Sequence, residues 1–271
     1  MIDEIKTTAD FLRSKGITNP EIGVVLGTGL GNLAEEIDVI AEVPYSEIPG
    51  FPEATVEFHA GKLIYGSIAN RKVLAMKGRY HFYEGYTMHQ IVFPIRVMKM
   101  LGIESLLISN AAGSINLDWK KGDLMMISDH INLFPAHALN GANIDELGTR
   151  FPDMSEAYNK GYRSALRQIA RRENITLHEG VYITAQGPML ETPSEYRFLK
   201  IAGGDAVGMS TVPEVIAANH MGLPVAAISV LTDECDPDNL KPVSIEEIIA
   251  VAGKAEKKLT TLFVGLIKEM K

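Results

Sequence analysis

Three glycines alternate at positions 27, 29 and 31 in VVLGTGLGNL, residues 24–33, directly after a run of aliphatic residues. Such a turn at the end of a strand exposes backbone N–H groups, and Thr28 places a hydroxyl among them. The turn suits a compact anion such as phosphate, or else a tight strand–helix connection that binds nothing. A dinucleotide loop needs G-x-G-x-x-G and an acidic residue about 20 positions further on, at the end of a second strand. The spacing here is G-x-G-x-G, and Glu47, the acid near that distance, lies in the proline-rich PYSEIPGFP. A Walker loop is excluded too, because no Gly-Lys-Ser/Thr follows.

Three further stretches carry groups that favour an anion. In MKGRYHFYEGY, residues 76–86, Arg79 and His81 follow a β-rich run, and arginine offers a rigid fork of donors to a tetrahedral anion. SNAAGSIN, residues 109–116, ends another such run in small side chains that let a ligand approach the backbone. VGMSTVPEV, residues 207–215, places Ser210 beside Thr211 and Glu214, whose spacing predicts a capping box at the start of a helix. A helix N-terminus with a hydroxyl beside it is a ready anion site. Four such strand ends agree with the rule that α/β sites lie at the carboxyl ends of strands.

The elements that must position these groups are legible as alternation. Strands are expected at 22–27, 72–78, 105–110, 124–128, 180–185, 205–210 and 225–231, several apolar throughout, as strands covered on both faces are. Helical spacing occupies 3–15, 87–101, 155–172, 193–202, 212–221 and 244–269. The pattern predicts an α/β fold with a mixed, largely parallel central sheet flanked by helices. Without repeats or low-complexity linkers, the simplest reading is one domain over residues 1–271. The long stretches 44–61 and 129–152 are rich in Pro, Gly, His and Asn, and loops of that length are often functional or at an interface.

A net charge of −8 argues against a general nucleic-acid binder. Cys235 is the sole cysteine, so neither an intramolecular disulfide nor a cysteine-based zinc site is expected. The opening MIDEIKTTADFLRSKG lacks the basic start and apolar core of a signal peptide. No apolar run approaches the roughly 18 residues of a membrane span. A cytoplasmic protein is therefore expected. The acids of DECDPDN, residues 233–239, lack the central glycine and final glutamate of a calcium loop.

Taken together, GTGLGNL, GRYHFYEGY, SNAAGSIN, RFPDMSEAY and GGDAVGMSTVPEV resemble the trimeric purine nucleoside phosphorylases, the branch that prefers 6-oxopurines. The resemblance runs over nearly the whole chain. It implies a phosphorolytic enzyme of purine salvage that assembles as a homotrimer, with phosphate as co-substrate and no organic cofactor or metal. By position, it puts phosphate on Thr28, Arg79, His81, the backbone at Ala111 and Ser210. It puts the ribose on Tyr83, Met209 and His59, and the purine on Leu190, Glu191 and Asp233. It makes Phe151 the aromatic residue that reaches a neighbouring subunit's site, and His81, Glu191 and Asp233 the catalytic groups.

Glu191 precedes a helix that Thr192, Pro193 and Glu195 are expected to open. An ionised carboxylate there accepts from N1–H of hypoxanthine or guanine, a hydrogen that adenine lacks. Two positions depart from the 6-oxopurine pattern. Where that branch usually has asparagine, this chain has Asp233, and an ionised aspartate accepts only, so it opposes O6 and suits a 6-amino group. A protonated Asp233 would instead donate to N7 or O6 as a general acid. Ile245 stands where the family often has a histidine for the ribose 5′-hydroxyl. These departures keep a methylthioadenosine or adenosine phosphorylase open as the alternative. A non-catalytic purine- or phosphate-binding protein of the same fold is the other.

Overall fold

The structure is a computed structural model that describes residues 1–27, 31–52 and 61–270. Thr28 and His59 therefore lie outside the described residues.

One nine-stranded sheet organises the chain. Its strands are β1 (Ile22–Leu26), β2 (Asp38–Pro44), β3 (Lys62–Ile68), β4 (Arg71–Lys77), β5 (Ser105–Ser114), β6 (Leu124–Ile131), β7 (Leu177–Thr184), β8 (Ala206–Gly208) and β9 (Val225–Glu234). They run in the order β2-β3-β4-β1-β5-β8-β7-β6-β9. Because β5 also pairs with β9, strands β5, β8, β7, β6 and β9 close on themselves, and the remaining four extend as an arm. The sheet is mixed: β1–β4, β1–β5, β5–β9, β6–β7 and β7–β8 are parallel, and the other pairings are antiparallel.

All six expected helices form: α1 (Ile2–Ser14), α2 (Met88–Leu101), α3 (Lys160–Arg172), α4 (Pro193–Ile201), α5 (Val212–His220) and α6 (Ile245–Glu269). Their starts follow local chemistry. Thr87 accepts from Gln90 N–H to open α2, Asn159 accepts from Tyr162 N–H to open α3, and Ser244 accepts from Glu247 N–H to open α6. Helices α1, α2 and α5 bury one face of the sheet, while α3 and α6 cover the other. The β1 sequence IGVVL is buried at every position, which explains its lack of alternation.

Two strands have no counterpart in the pattern reading. Strand β2 is an edge strand with Val39 and Ile40 exposed, so it shows no buried alternation. Strands β3 and β4 form a hairpin whose turn, Ala69–Asn70, takes positive φ at both residues without a glycine. The usual Asn-Gly or Asp-Gly signal of such a turn is absent. Helix α3 also begins at Lys160 rather than at 155, where its Asn159 cap sets it.

Candidate active site

The carboxyl ends of β1, β4, β5, β8 and β9 converge on a cavity of about 290 Å³. Convergence needs close backbone approach. A Cβ on Gly27, just past β1, would lie 2.8 Å from both Asn110 Cα and the Ser109 carbonyl oxygen on β5. Only glycine fits there.

One end of the cavity is built around Arg79, which is 2 % exposed and follows β4. Its Nη1 donates to Ser210 Oγ at 2.9 Å and to Thr211 Oγ1 at 3.1 Å. Its Nε lies 3.4 Å from Oε1 of the equally buried Glu214 on α5. Nη2 has no hydrogen-bond partner among the described residues. A buried guanidinium with a donor left over is an unfinished anion site. Ser210 accepts from Arg79, so its own hydrogen remains to donate, either to Thr211 Oγ1 at 3.3 Å or to a ligand.

The expected capping box at Thr211 and Glu214 does not form, which corrects that part of the sequence reading. Thr211 makes no side-chain cap and holds φ at 70°, a conformation rare for a β-branched residue. Its hydroxyl accepts instead from Arg79 and from Asn110 Nδ2 at 2.9 Å, and Glu214 turns to the arginine. Long-range ionic pairing has overridden the local motif.

His81 is buried, with Nδ1 2.8 Å from Glu84 Oε1, an oxygen that also accepts the His81 backbone N–H. That carboxylate fixes the orientation of the imidazole. Tyr83 stacks on the imidazole at 4.8 Å between centroids, and burial pushes its hydroxyl up to about 12.

The other end is acidic and hydrogen-bonded. Thr192 and Glu195 form the expected reciprocal cap, with Pro193 as the first residue of α4. Glu191, just before it, is half-buried and lines the cavity. Burial raises its carboxyl above the ordinary range, and the charge of Asp233 adds to the rise. Asp233 sits near the end of β9, where its Oδ1 accepts from Thr232 Oγ1 at 2.9 Å and its Oδ2 from Cys235 Sγ at 3.2 Å. Opposite it, β5 carries Gly113, where a Cβ would come within 2.9 Å of Asp233 Oδ2.

The cavity thus brings together Arg79, His81, Ala111 and Ser210 with Tyr83 and Met209. It also gathers Leu190, Glu191, Asp233 and the divergent Ile245. Phe151 is not on its wall and is 85 % exposed. Glu84, Asn110, Glu214 and Cys235 were not among the expected site residues. Each serves another site residue, and only the i, i+3 spacing of His81 and Glu84 offered a local signal. Among the described residues, no cluster of three or more His, Cys, Asp or Glu is arranged to hold a metal. No described helix is long and apolar enough to cross a membrane.

With this geometry established, comparison with known proteins identifies the chain's relatives. The sequence pattern of the phosphorylase superfamily matches residues 21–268. Purine nucleoside phosphorylase 1 of Geobacillus stearothermophilus is 46 % identical over 266 residues, covering 98 % of this chain and 97 % of that protein. The structure of isoform 2 of purine nucleoside phosphorylase from Schistosoma mansoni, in complex with cytosine and ribose-1-phosphate, superposes with a TM-score of 0.95. It is 42 % identical and covers 99 % of this chain and 97 % of that one. Purine nucleoside phosphorylase from the same organism, in complex with adenosine, gives a TM-score of 0.94 at 38 % identity, with coverage of 100 % and 98 %. The chain belongs to the phosphorylase superfamily.

Proposed function

We propose that this superfamily member is an enzyme that cleaves purine ribonucleosides and 2′-deoxyribonucleosides with inorganic phosphate, releasing the free base and (deoxy)ribose 1-phosphate. The observation that carries the reading is one cavity with two chemistries: a buried cationic end at Arg79 and a carboxylate end at Glu191 and Asp233. Relatives named as purine nucleoside phosphorylases, matched over nearly the whole chain, support it.

Arg79 and Ser210 hold phosphate with their free hydrogens, joined by His81, the Ala111 amide and Thr28. Tyr83, Met209 and His59 hold the sugar between phosphate and base. An oxygen of phosphate forms a bond to C1′ as the C1′–N9 bond breaks, and the bonding pair passes into the purine ring. Phosphate is itself the nucleophile, so the step calls for no covalent enzyme intermediate, organic cofactor or metal. Placing it in line with C1′ supplies several kcal/mol of the barrier, on the order of what positioning provides elsewhere. Glu191, Asp233 and Leu190 hold the departing base, and hydrogen bonds at its edge spread the developing negative charge.

Inosine and guanosine are the preferred substrates in this reading, because ionised Glu191 accepts from N1–H. A second reading has specific support. Ile245 and Ile248 present an apolar wall to the cavity, and Asp233 accepts hydrogen bonds from Thr232 and Cys235. Both features suit adenosine or methylthioadenosine. The protein acts in the cytoplasm as a homotrimer in which exposed Phe151 completes a neighbour's site.

The test is base release from inosine, guanosine, adenosine and methylthioadenosine, each with and without phosphate. Phosphate-dependent cleavage of the first two alone is the expected result. A preference for the last two establishes the second reading. Cleavage of none overturns both and leaves a binding protein.

A further inference from the structure

Thr211 stands at a position that suits glycine. With φ at 70° and ψ at −54° it is the centre of a γ-turn, closed by the Val212 N–H donating to the Ser210 carbonyl oxygen at 2.8 Å. Glycine takes that conformation freely, whereas a β-branched residue is strained there. Thr211 is also fully buried, so bulk water does not compete for its hydroxyl. A strained, buried threonine in place of glycine points to a task for its side chain.

The task follows from the hydrogens. A hydroxyl oxygen has two lone pairs and one hydrogen. Thr211 Oγ1 accepts from Arg79 Nη1 at 3.1 Å and from buried Asn110 Nδ2 at 2.9 Å, which fills both lone pairs. Its own hydrogen must be donated, and among the described residues the neighbour in reach is Ser210 Oγ at 3.3 Å. Ser210 Oγ already accepts from Arg79 Nη1 at 2.9 Å. With Thr211 donating as well, both lone pairs of Ser210 are taken, and its hydroxyl acts only as a donor. Ser210 lines the cavity together with Arg79.

We propose that Thr211 is a positioning residue for phosphate, whose hydroxyl makes Ser210 an obligate donor to the bound anion. The proposal rests on the phosphate reading of this end of the cavity. A serine with a free lone pair can turn it towards a phosphate oxygen, and two acceptors repel. A serine with both lone pairs filled presents hydrogen alone, the polarity an anion needs. Asn110 belongs to the same arrangement, because its Nδ2 fills the lone pair with which Thr211 would otherwise accept from Ser210. The donors are thus set before phosphate arrives, and binding costs little reorganisation.

The experiment measures the dissociation constant of inorganic phosphate by calorimetry for the full-length chain and for Thr211→Ser, Thr211→Val and Thr211→Gly. Hypoxanthine binding and release of base from inosine are followed in parallel. Thr211→Val keeps the branched shape, loses the hydroxyl and weakens phosphate about tenfold. Thr211→Gly relieves the strain, loses the hydroxyl too and weakens phosphate to a similar degree. Thr211→Ser retains the hydroxyl and stays within about twofold of the unmodified chain. Hypoxanthine affinity stays within about twofold in all three. In a Ser210→Ala background, Thr211→Val costs less than about threefold, because its effect runs through Ser210.

Unchanged phosphate affinity in Thr211→Gly would mean that the residue only shapes the turn, and it overturns the proposal. So does a Thr211→Ser chain as weak as Thr211→Val, or an effect of Thr211→Val that persists in full without the Ser210 hydroxyl. If Thr211→Val does not fold, the glycine and serine chains decide. Failure of the functional reading looks different: the variants then rank in this order for phosphate while no base is released. A chain that binds no phosphate overturns both.

Discussion

The two ends of the cavity are built on different principles. At the end proposed to hold phosphate, Arg79 and Glu214 are both almost fully buried, and Ser210, Thr211 and Asn110 converge with them on strand ends and on the start of α5. Thr211 is held there at positive φ. At the end proposed to hold the base, Glu191 and Leu190 precede α4, Leu190 is 44 % exposed, and Asp233 accepts from Thr232 and Cys235. Phosphate is the same in every turnover, so its site can be rigid and paid for by the core. The base varies, and a site that reads it by hydrogen-bond polarity can change with one proton or one side chain. In the proposed reading, invariant chemistry sits in the sheet and selectivity at its rim.

Substitutions sharpen that contrast. The largest effect belongs to Arg79→Ala, which should lower phosphate-dependent kcat/KM by about a thousandfold or more. It also strands Glu214, at a cost of about 3–5 kcal/mol in folding stability. Kinetics on protein shown to be folded by circular dichroism check the first figure, and urea unfolding checks the second. Glu191→Ala should reduce kcat/KM for inosine by about a hundredfold while leaving the KM for phosphate within error. An equal loss in phosphate binding would show that the two ends are not separable.

Asp233→Asn should be milder, shifting the inosine-to-adenosine ratio about tenfold towards inosine, as expected when one hydrogen-bond polarity is corrected. The smallest effect is thermal. The Glu191 carboxyl is raised in the folded chain, so the folded state holds the proton more tightly than the unfolded one. Stability is therefore lost as pH rises through this range, and neutral Glu191→Gln should melt about one to two degrees higher at neutral pH. The gain should vanish in acid, where both side chains are neutral.

The same contrast governs what the sequence revealed. Arg79, His81, Ser210 and Glu191 were legible because each follows an apolar run or precedes a helix cap, a position set by local pattern. Their supporting partners were not. Glu214 sits three residues after Thr211, and on local spacing it reads as a cap. Its actual partner, Arg79, follows β4 and is distant in sequence. Nothing local announces that Cys235 donates to Asp233 either. Among the elements, the six helices and seven strands followed from periodicity and caps. The arm strands β2 and β3 did not, one being exposed and the other leaving through an Ala69–Asn70 turn with no glycine to mark it.

The central claim is that phosphate, and not water, accepts the sugar. Following inosine and phosphate by ³¹P NMR while hypoxanthine is measured by absorbance tests it directly. Ribose 1-phosphate and hypoxanthine should form in equal amounts, with no base released when phosphate is omitted. Hypoxanthine released together with free ribose, at a rate indifferent to phosphate, would contradict it.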